Sequence, residues 1–250
     1  MTVRIFVSIA VLSLLVSCDS TEKGMTLNAI LDRHTEARGG RAAIENIESM
    51  WVELKIGESG VTYHGNYIAT RDGWMRIDVS VDGVRVFSEA LGPGGGWQMF
   101  SDGRIEGLTP AGEAALKRGI VGNLYGLHEL RDLGYSLELL GATLLDGTKL
   151  WEFEKVAPDG TSEHIFVRQD TYLVDRETET SALHPDVDAT KQPQETVFLH
   201  YRETGGVMYA DRSETRNLES GDILQTDVVK SRKVNERVDQ AIFERPGEAE

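Results

Sequence analysis

The chain has 250 residues, 40% of them hydrophobic, a single cysteine, and 41 Asp and Glu against 26 Lys and Arg, a formal net charge of -15. Such a surface repels phosphate backbones and anionic headgroups, which argues against nucleic acid as a partner and against membrane attachment through a basic patch. One cysteine forms no intramolecular disulfide, so the folded part stands on its hydrophobic core, as one large domain or two small ones.

Arg4 gives the N-terminus a positive charge, and Ile5 to Val16 is apolar apart from Ser8 and Ser13. This run is shorter than the roughly 20 residues that cross a bilayer and has the form of a secretory h-region. Leu15-Val16-Ser17-Cys18 follows directly and resembles the lipobox of bacterial lipoproteins. The resemblance implies that residues 1–17 are a lipoprotein signal peptide, that Cys18 is the lipidation site, and that residues 18–25 tether a domain over residues 26–246 to a membrane. Asp19 resembles a sorting signal that retains lipoproteins in the inner membrane. The expectation is an exported, periplasm-facing, lipid-anchored protein, with the inner membrane favoured by Asp19 and the outer membrane open.

Thr26 is placed to cap a helix whose inward positions Leu27, Ile30, Leu31, His34 and Ala37 follow helical spacing, and Gly39-Gly40 stops it. Ala43, Ile44 and Ile47 add an amphipathic turn or two. From Trp51 the period changes to two, with Val52, Leu54 and Ile56 on one face. Asp72-Gly73, Asp82-Gly83 and Asp102-Gly103 punctuate alternating runs and predict antiparallel hairpins. Thr109-Pro110 predicts a helix start, and residues 111–119 and 123–133 read as two short central helices. Strands resume at Leu137, turn at Asp146-Gly147 and Asp159-Gly160, and continue past a polar loop over residues 181–194 to Val234. The pattern gives about eleven strands with helices only at the start and middle.

Signatures of chemistry are sparse. Asp186-Val187-Asp188-Ala189-Thr190 spells the DxDxT string of aspartate-nucleophile phosphatases, but no buried apolar strand precedes it, and a solvated loop is expected. Gly94-Gly95-Gly96 lacks the following Lys-Ser/Thr of a phosphate loop. Histidines 34, 64, 128, 164, 184 and 200 show no metal-ligand spacing. The reading is of a non-enzyme without catalytic residues, metal or cofactor.

Ala37-Arg38-Gly39-Gly40-Arg41-Ala42-Ala43-Ile44 leads into the first strand. Leu139-Leu140-Gly141, Gly205-Gly206-Val207, and Ala241-Ile242-Phe243-Glu244-Arg245-Pro246 follow in order. Together these resemble the outer-membrane lipoprotein-sorting (LolA/LolB-like) superfamily over roughly residues 26–246. The resemblance implies a mainly β fold, a single open, strongly curved antiparallel half-barrel, with an N-terminal helix and two central helices plugging its concave face. In the carriers of that family the concave cavity holds the acyl chains of a lipoprotein, and burying a chain there gains about 0.8 kcal/mol per methylene. One departure stands at Met208-Tyr209-Ala210, where relatives often carry a proline.

Val52, Leu54, Ile56, Met75, Ile77, Val79, Trp97, Phe100, Trp151 and Phe153 are the candidate ligand-binding residues. Such residues either fill a core or line an acyl cavity, and a single curved sheet with few helices favours the cavity. The functional expectation is an envelope protein binding the acyl chains of a lipid or lipoprotein. The alternative is a sensor or scaffold that uses the same fold to bind a membrane-protein partner.

Overall fold

The computed structural model describes residues 24–247; the signal segment, Cys18 and Asp19 lie outside the described residues. Helix α1 (Leu27–Ala37) begins where expected, with the Thr26 hydroxyl accepting from the Ala29 N–H at 3.3 Å. A short α2 (Arg41–Glu45) follows. Between them the chain is locked onto the far end of the sequence. A Cβ at Gly39 would stand 1.9 Å from the Gly206 carbonyl oxygen, and the Met208 N–H donates to the Arg38 carbonyl at 2.8 Å. The two glycine motifs that carried the family resemblance therefore meet, and the absent side chain at Gly39 permits the contact.

Thirteen strands form one antiparallel sheet, open and curved rather than closed. The first meander comprises β1 (Ser49–Glu58), β2 (Val61–Thr70), β3 (Met75–Val81), β4 (Val84–Gly92), β5 (Gly95–Phe100) and β6 (Ile105–Gly107). The second comprises β7 (Ser136–Leu145), β8 (Thr148–Val156), β9 (Ser162–Arg168), β10 (Val174–Ser181), β11 (Gln192–Thr204), β12 (Val207–Asn217) and β13 (Ile223–Val234). Pairing of β1 with β13 joins them, which leaves β6 and β7 as the two edges. At the Asp82-Gly83 and Asp146-Gly147 turns both central residues have positive φ, the conformation that matches the twist of a two-residue hairpin.

Because β6 and β7 are opposite edges, the segment between them must cross a face of the sheet. It does so as α3 (Pro110–Leu124) and a run of tight turns. The sequence pattern predicts two helices here; the structure has one longer helix. It passes through Gly119 and Gly122, where an added Cβ would meet nothing within 4 Å, because Leu116, Ile120 and Leu124 continue one buried stripe across them. Each glycine costs about 1 kcal/mol relative to alanine, less than the roughly 1.5–3 kcal/mol gained per buried leucine or isoleucine. Beyond Tyr125, residues 126–134 bond i to i−3, from Glu129 N–H to the Gly126 carbonyl onward, and form turns instead of the second helix.

The helices cover the concave face in two patches. Ile44 and Ile47 with Leu116, Ile120 and Leu124 pack on Met50, Val52, Met75 and Leu91 of the first meander. Ile30 of α1 packs on Trp151, Phe153, Ile165 and Val167 of the second, and Leu31 on Leu130 and Leu137. On the outer face, a 3-10 turn (Gln240–Phe243) folds back over β3 to β5. Among the described residues no helix is long and apolar enough to cross a membrane.

Candidate functional site: a cavity beneath the helices

Strand register sorts the side chains into rungs on the concave face. One runs Val52–Tyr67–Ile77–Glu89–Gln98, and the next Leu54–Gly65–Val79–Phe87–Phe100. Across the β1–β13 junction the same face carries Val234, Arg232, Val229 and Asp227. Between the two helical patches the face stays partly uncovered, leaving a cavity of about 370 Å³. That is at the small end of the roughly 300–1,000 Å³ of small-molecule sites.

Its walls differ in character. Val52, Leu54, Ile77 and Val229 make an apolar floor, with Phe198 from β11, and Val121, Leu127 and Leu130 form an apolar roof. Tyr67 lies in the floor, where burial pushes its hydroxyl well above the usual phenol range. A polar wall is built by His34 of α1 and Arg38 just past its end, Tyr209 and Asp211 of β12, and Arg232 and Asp227 of β13, with Lys155 and Glu177 beyond.

Tyr209 is flanked by two cations: the Arg38 guanidinium carbon lies 5.3 Å from its ring centroid and that of Arg232 4.6 Å. Arg232 donates to Asp211 at 3.1 Å and to the Ala210 carbonyl at 2.9 Å. Burial pulls both guanidiniums below their ordinary pKa. His34 Nδ1 lies 2.7 Å from the Tyr172 carbonyl, which can only accept, so this nitrogen carries the proton and Nε2 is bare. Burial first, then Arg38, lowers the His34 pKa to about 3. Farther along, Lys155 is ion-paired with Glu163 and faces Glu177, whose carboxyl is raised by burial. Asp227 accepts from Ser213 and Gln225 and is also raised by burial.

Of the sequence candidates, Val52, Leu54 and Ile77 line this cavity. Ile56 fills the space left by Gly65, whose Cβ position is 3.0 Å from the Ile56 Cδ1. Met75, Trp151 and Phe153 are packed in the clusters under the helices. Val79 and Phe100 share the outlying rung, with the Phe100 ring edge-on to Phe87 at 6.0 Å. Trp97 lies on the other face: it pairs with Ala90, and its indole N–H donates to the Phe243 carbonyl at 2.9 Å. Alternation is the reason, since residues 97 and 100 on one strand point to opposite faces. Sequence reasoning missed Arg38, Tyr209 and Arg232. Arg38 stands inside the quoted Ala37–Ile44 motif and Tyr209 in the quoted departure just after Gly205-Gly206-Val207, and the alternation Val207–Tyr209–Asp211 marks one face of β12.

The DxDxT segment belongs to a docked loop rather than a freely solvated one. Asp186 accepts from the Thr109 N–H at 3.1 Å, over the N-terminus of α3, and His184 reaches Glu58 at 3.1 Å. Beside this loop, a rim hollow of about 670 Å³ has polar walls that include Arg118, Asp159, Glu179 and Lys191. Among the described residues no group of His, Cys, Asp or Glu has metal-site geometry.

No protein-family model and no curated protein sequence matches this chain. Solved structures do. A DUF1329 family protein from Desulfovibrio piger is 15% identical, covers 87% of this chain and 96% of its own, and superposes with a TM-score of 0.59. A LolA superfamily protein from Nitrosomonas europaea is 14% identical, covers 89% and 99%, and gives 0.58. The likeness at these identities is one of fold: the chain has the LolA-superfamily fold.

Proposed function

We propose that this chain is an exported, lipid-anchored envelope protein that holds an acyl chain of a lipid or lipoprotein in the cavity beneath α1 and α3. One observation carries the reading. The curved sheet is not filled solid; it keeps a cavity of about 370 Å³ whose floor and roof are aliphatic. An apolar chain gains burial there, and we read the site as one for binding. The lipobox supports attachment through Cys18, and the acidic surface supports a lipid anchor over an electrostatic one.

A neutral fluorescent naphthylamine probe tests the cavity. The reading expects saturable uptake by the wild-type chain and loss of it in Ile77→Trp, which fills the floor, with the fold retained by circular dichroism. Equal uptake by both variants overturns this placement. Metabolic labelling with palmitate tests the anchor, which requires incorporation by the wild type and none by Cys18→Ser.

A further inference from the structure

The cavity carries more than an apolar lining, and its charges do not cancel. Asp211 is taken by Arg232 and by Arg202, at 3.1 and 2.5 Å. Lys155 is taken by Glu163, with Glu177 facing it. Asp227 is satisfied by Ser213 and Gln225. Glu129, the carboxylate nearest in influence to Arg38, is engaged by Arg71 at 2.7 Å. Arg38 is left as a half-buried cation in the cavity wall. Its hydrogen bond goes to the Tyr125 carbonyl at 3.2 Å, and among the described residues no carboxylate lies within ion-pair distance of it. A guanidinium has five N–H donors, and a charge drawn partly out of water without a counter-ion is costly. Across the Tyr209 ring, the Nε of Arg232 is buried and has no acceptor. Two incompletely satisfied guanidinium groups thus meet at one aromatic ring, in the polar wall of a cavity whose floor and roof are mainly aliphatic.

Resting on the acyl-chain reading above, we propose that the ligand is a single-chain amphiphile with an anionic oxygen headgroup, a carboxylate or phosphate held by Arg38 and Arg232 beside Tyr209. Planar guanidinium forks match carboxylate and phosphate oxygens, and the pair supplies the counter-ion that the fold lacks. The tail then lies over Leu54, Val52 and Ile77. A cavity of about 370 Å³ admits one chain, not the several chains of a diacyl or triacyl lipid. The two head chemistries differ in one respect: a glycerol hydroxyl offers a donor to the bare Nε2 of His34, which a free fatty acid anion does not.

The test uses the chain downstream of the expected cleavage site, with Cys18→Ser so that it bears no acyl group. Binding of palmitate, lysophosphatidic acid with one palmitoyl chain, and hexadecanol is compared by displacement of the neutral probe. Palmitate or lysophosphatidic acid should bind about ten- to hundredfold tighter than hexadecanol, as expected for charge-assisted hydrogen bonds. Arg38→Met should narrow the gap to a few-fold, with Arg38→Lys between. The better of the two anions identifies the head. A readout independent of any variant is the carboxyl carbon shift of ¹³C-labelled palmitate on the wild-type chain, which should titrate below the usual carboxylate range. Hexadecanol binding as tightly as both anions, or a bound carboxyl titrating at or above that range, overturns the proposal and leaves the acyl-chain reading standing. Failure of all three to displace the probe overturns both.

Discussion

Arg71 follows the last residue of β2, and its side chain ties the helical cover to the sheet. Nε donates to the Ile47 carbonyl at 2.6 Å, and Nη2 donates to the carbonyls of Ile44 at 2.8 Å and Leu124 at 3.1 Å. Nη1 donates to Glu129 at 2.7 Å, and the guanidinium carbon lies 4.2 Å from the Tyr125 ring centroid. Burial alone would lower the arginine pKa and raise that of Glu129; the pair reverses both directions. Arg71→Met leaves three carbonyls and a carboxylate without their donor. Loss of one partner from a buried pair costs about 3–5 kcal/mol. Both side chains retain some exposure, 15% and 14%, so we expect the lower end, about 3 kcal/mol. Urea unfolding of Arg71→Met, Glu129→Gln and the double variant measures it. The double variant should lose less than the two single losses combined, because Glu129→Gln removes the stranded charge. Hydrogen exchange should quicken first in α2 and the end of α3, while the central strands stay protected. A single-variant loss under about 0.5 kcal/mol, or strictly additive losses, refutes the reasoning.

Gly39→Ala should destabilise by at least about 2 kcal/mol, since the new methyl meets the Gly206 carbonyl at a φ of +118°. Gly73→Ala, at a φ of +86° with nothing within 4 Å, should cost only about 1 kcal/mol, and thermal unfolding of the two separates steric from conformational cost. Burial raises the Glu89 carboxyl from 4.5 to about 7, so its contribution is fully present below pH 4.5 and is lost as pH rises towards 7. Glu89→Gln should therefore gain stability relative to wild type at pH 8 compared with pH 4.5, by at most about 3 kcal/mol in urea melts. His34 acts in the opposite sense: its pKa falls from 6.5 to about 3, so its contribution is present above pH 6.5 and is lost as pH falls towards 3. His34→Gln should flatten that acid limb by roughly 3 kcal/mol between pH 7 and 4, and an unchanged limb counts against a buried neutral imidazole.

The capped α1 and the Asp-Gly hairpins are legible in the sequence because each rests on local chemistry, a hydroxyl cap or a pair of positive φ angles. Edge strand β6 has three residues, too few for an alternation to show. The length of α3 depends on tertiary burial, which overrides the two glycines that suggested a break. Arg71 reads as an ordinary residue beside a turn; its role comes from α2 and α3 arriving from elsewhere in the chain. The polar half of the cavity is hidden for a different reason. On β8 the inward row of Trp151 and Phe153 ends in Lys155, and on β10 inward Glu177 stands beside outward Arg176, so hydropathy marks no polar site there. The aliphatic floor, in contrast, is written in the alternation of β1 and β3.

Native mass spectrometry of the chain downstream of the expected cleavage site, exported behind a conventional cleavable signal and followed by lipid extraction, tests the central claim most directly. The account predicts a bound species of lipid mass that extraction recovers and that delipidated protein takes up again. A clean protein mass, with no uptake of added phospholipid, lipopeptide or fatty acid, contradicts it and makes the cavity-bearing fold a scaffold for a protein partner.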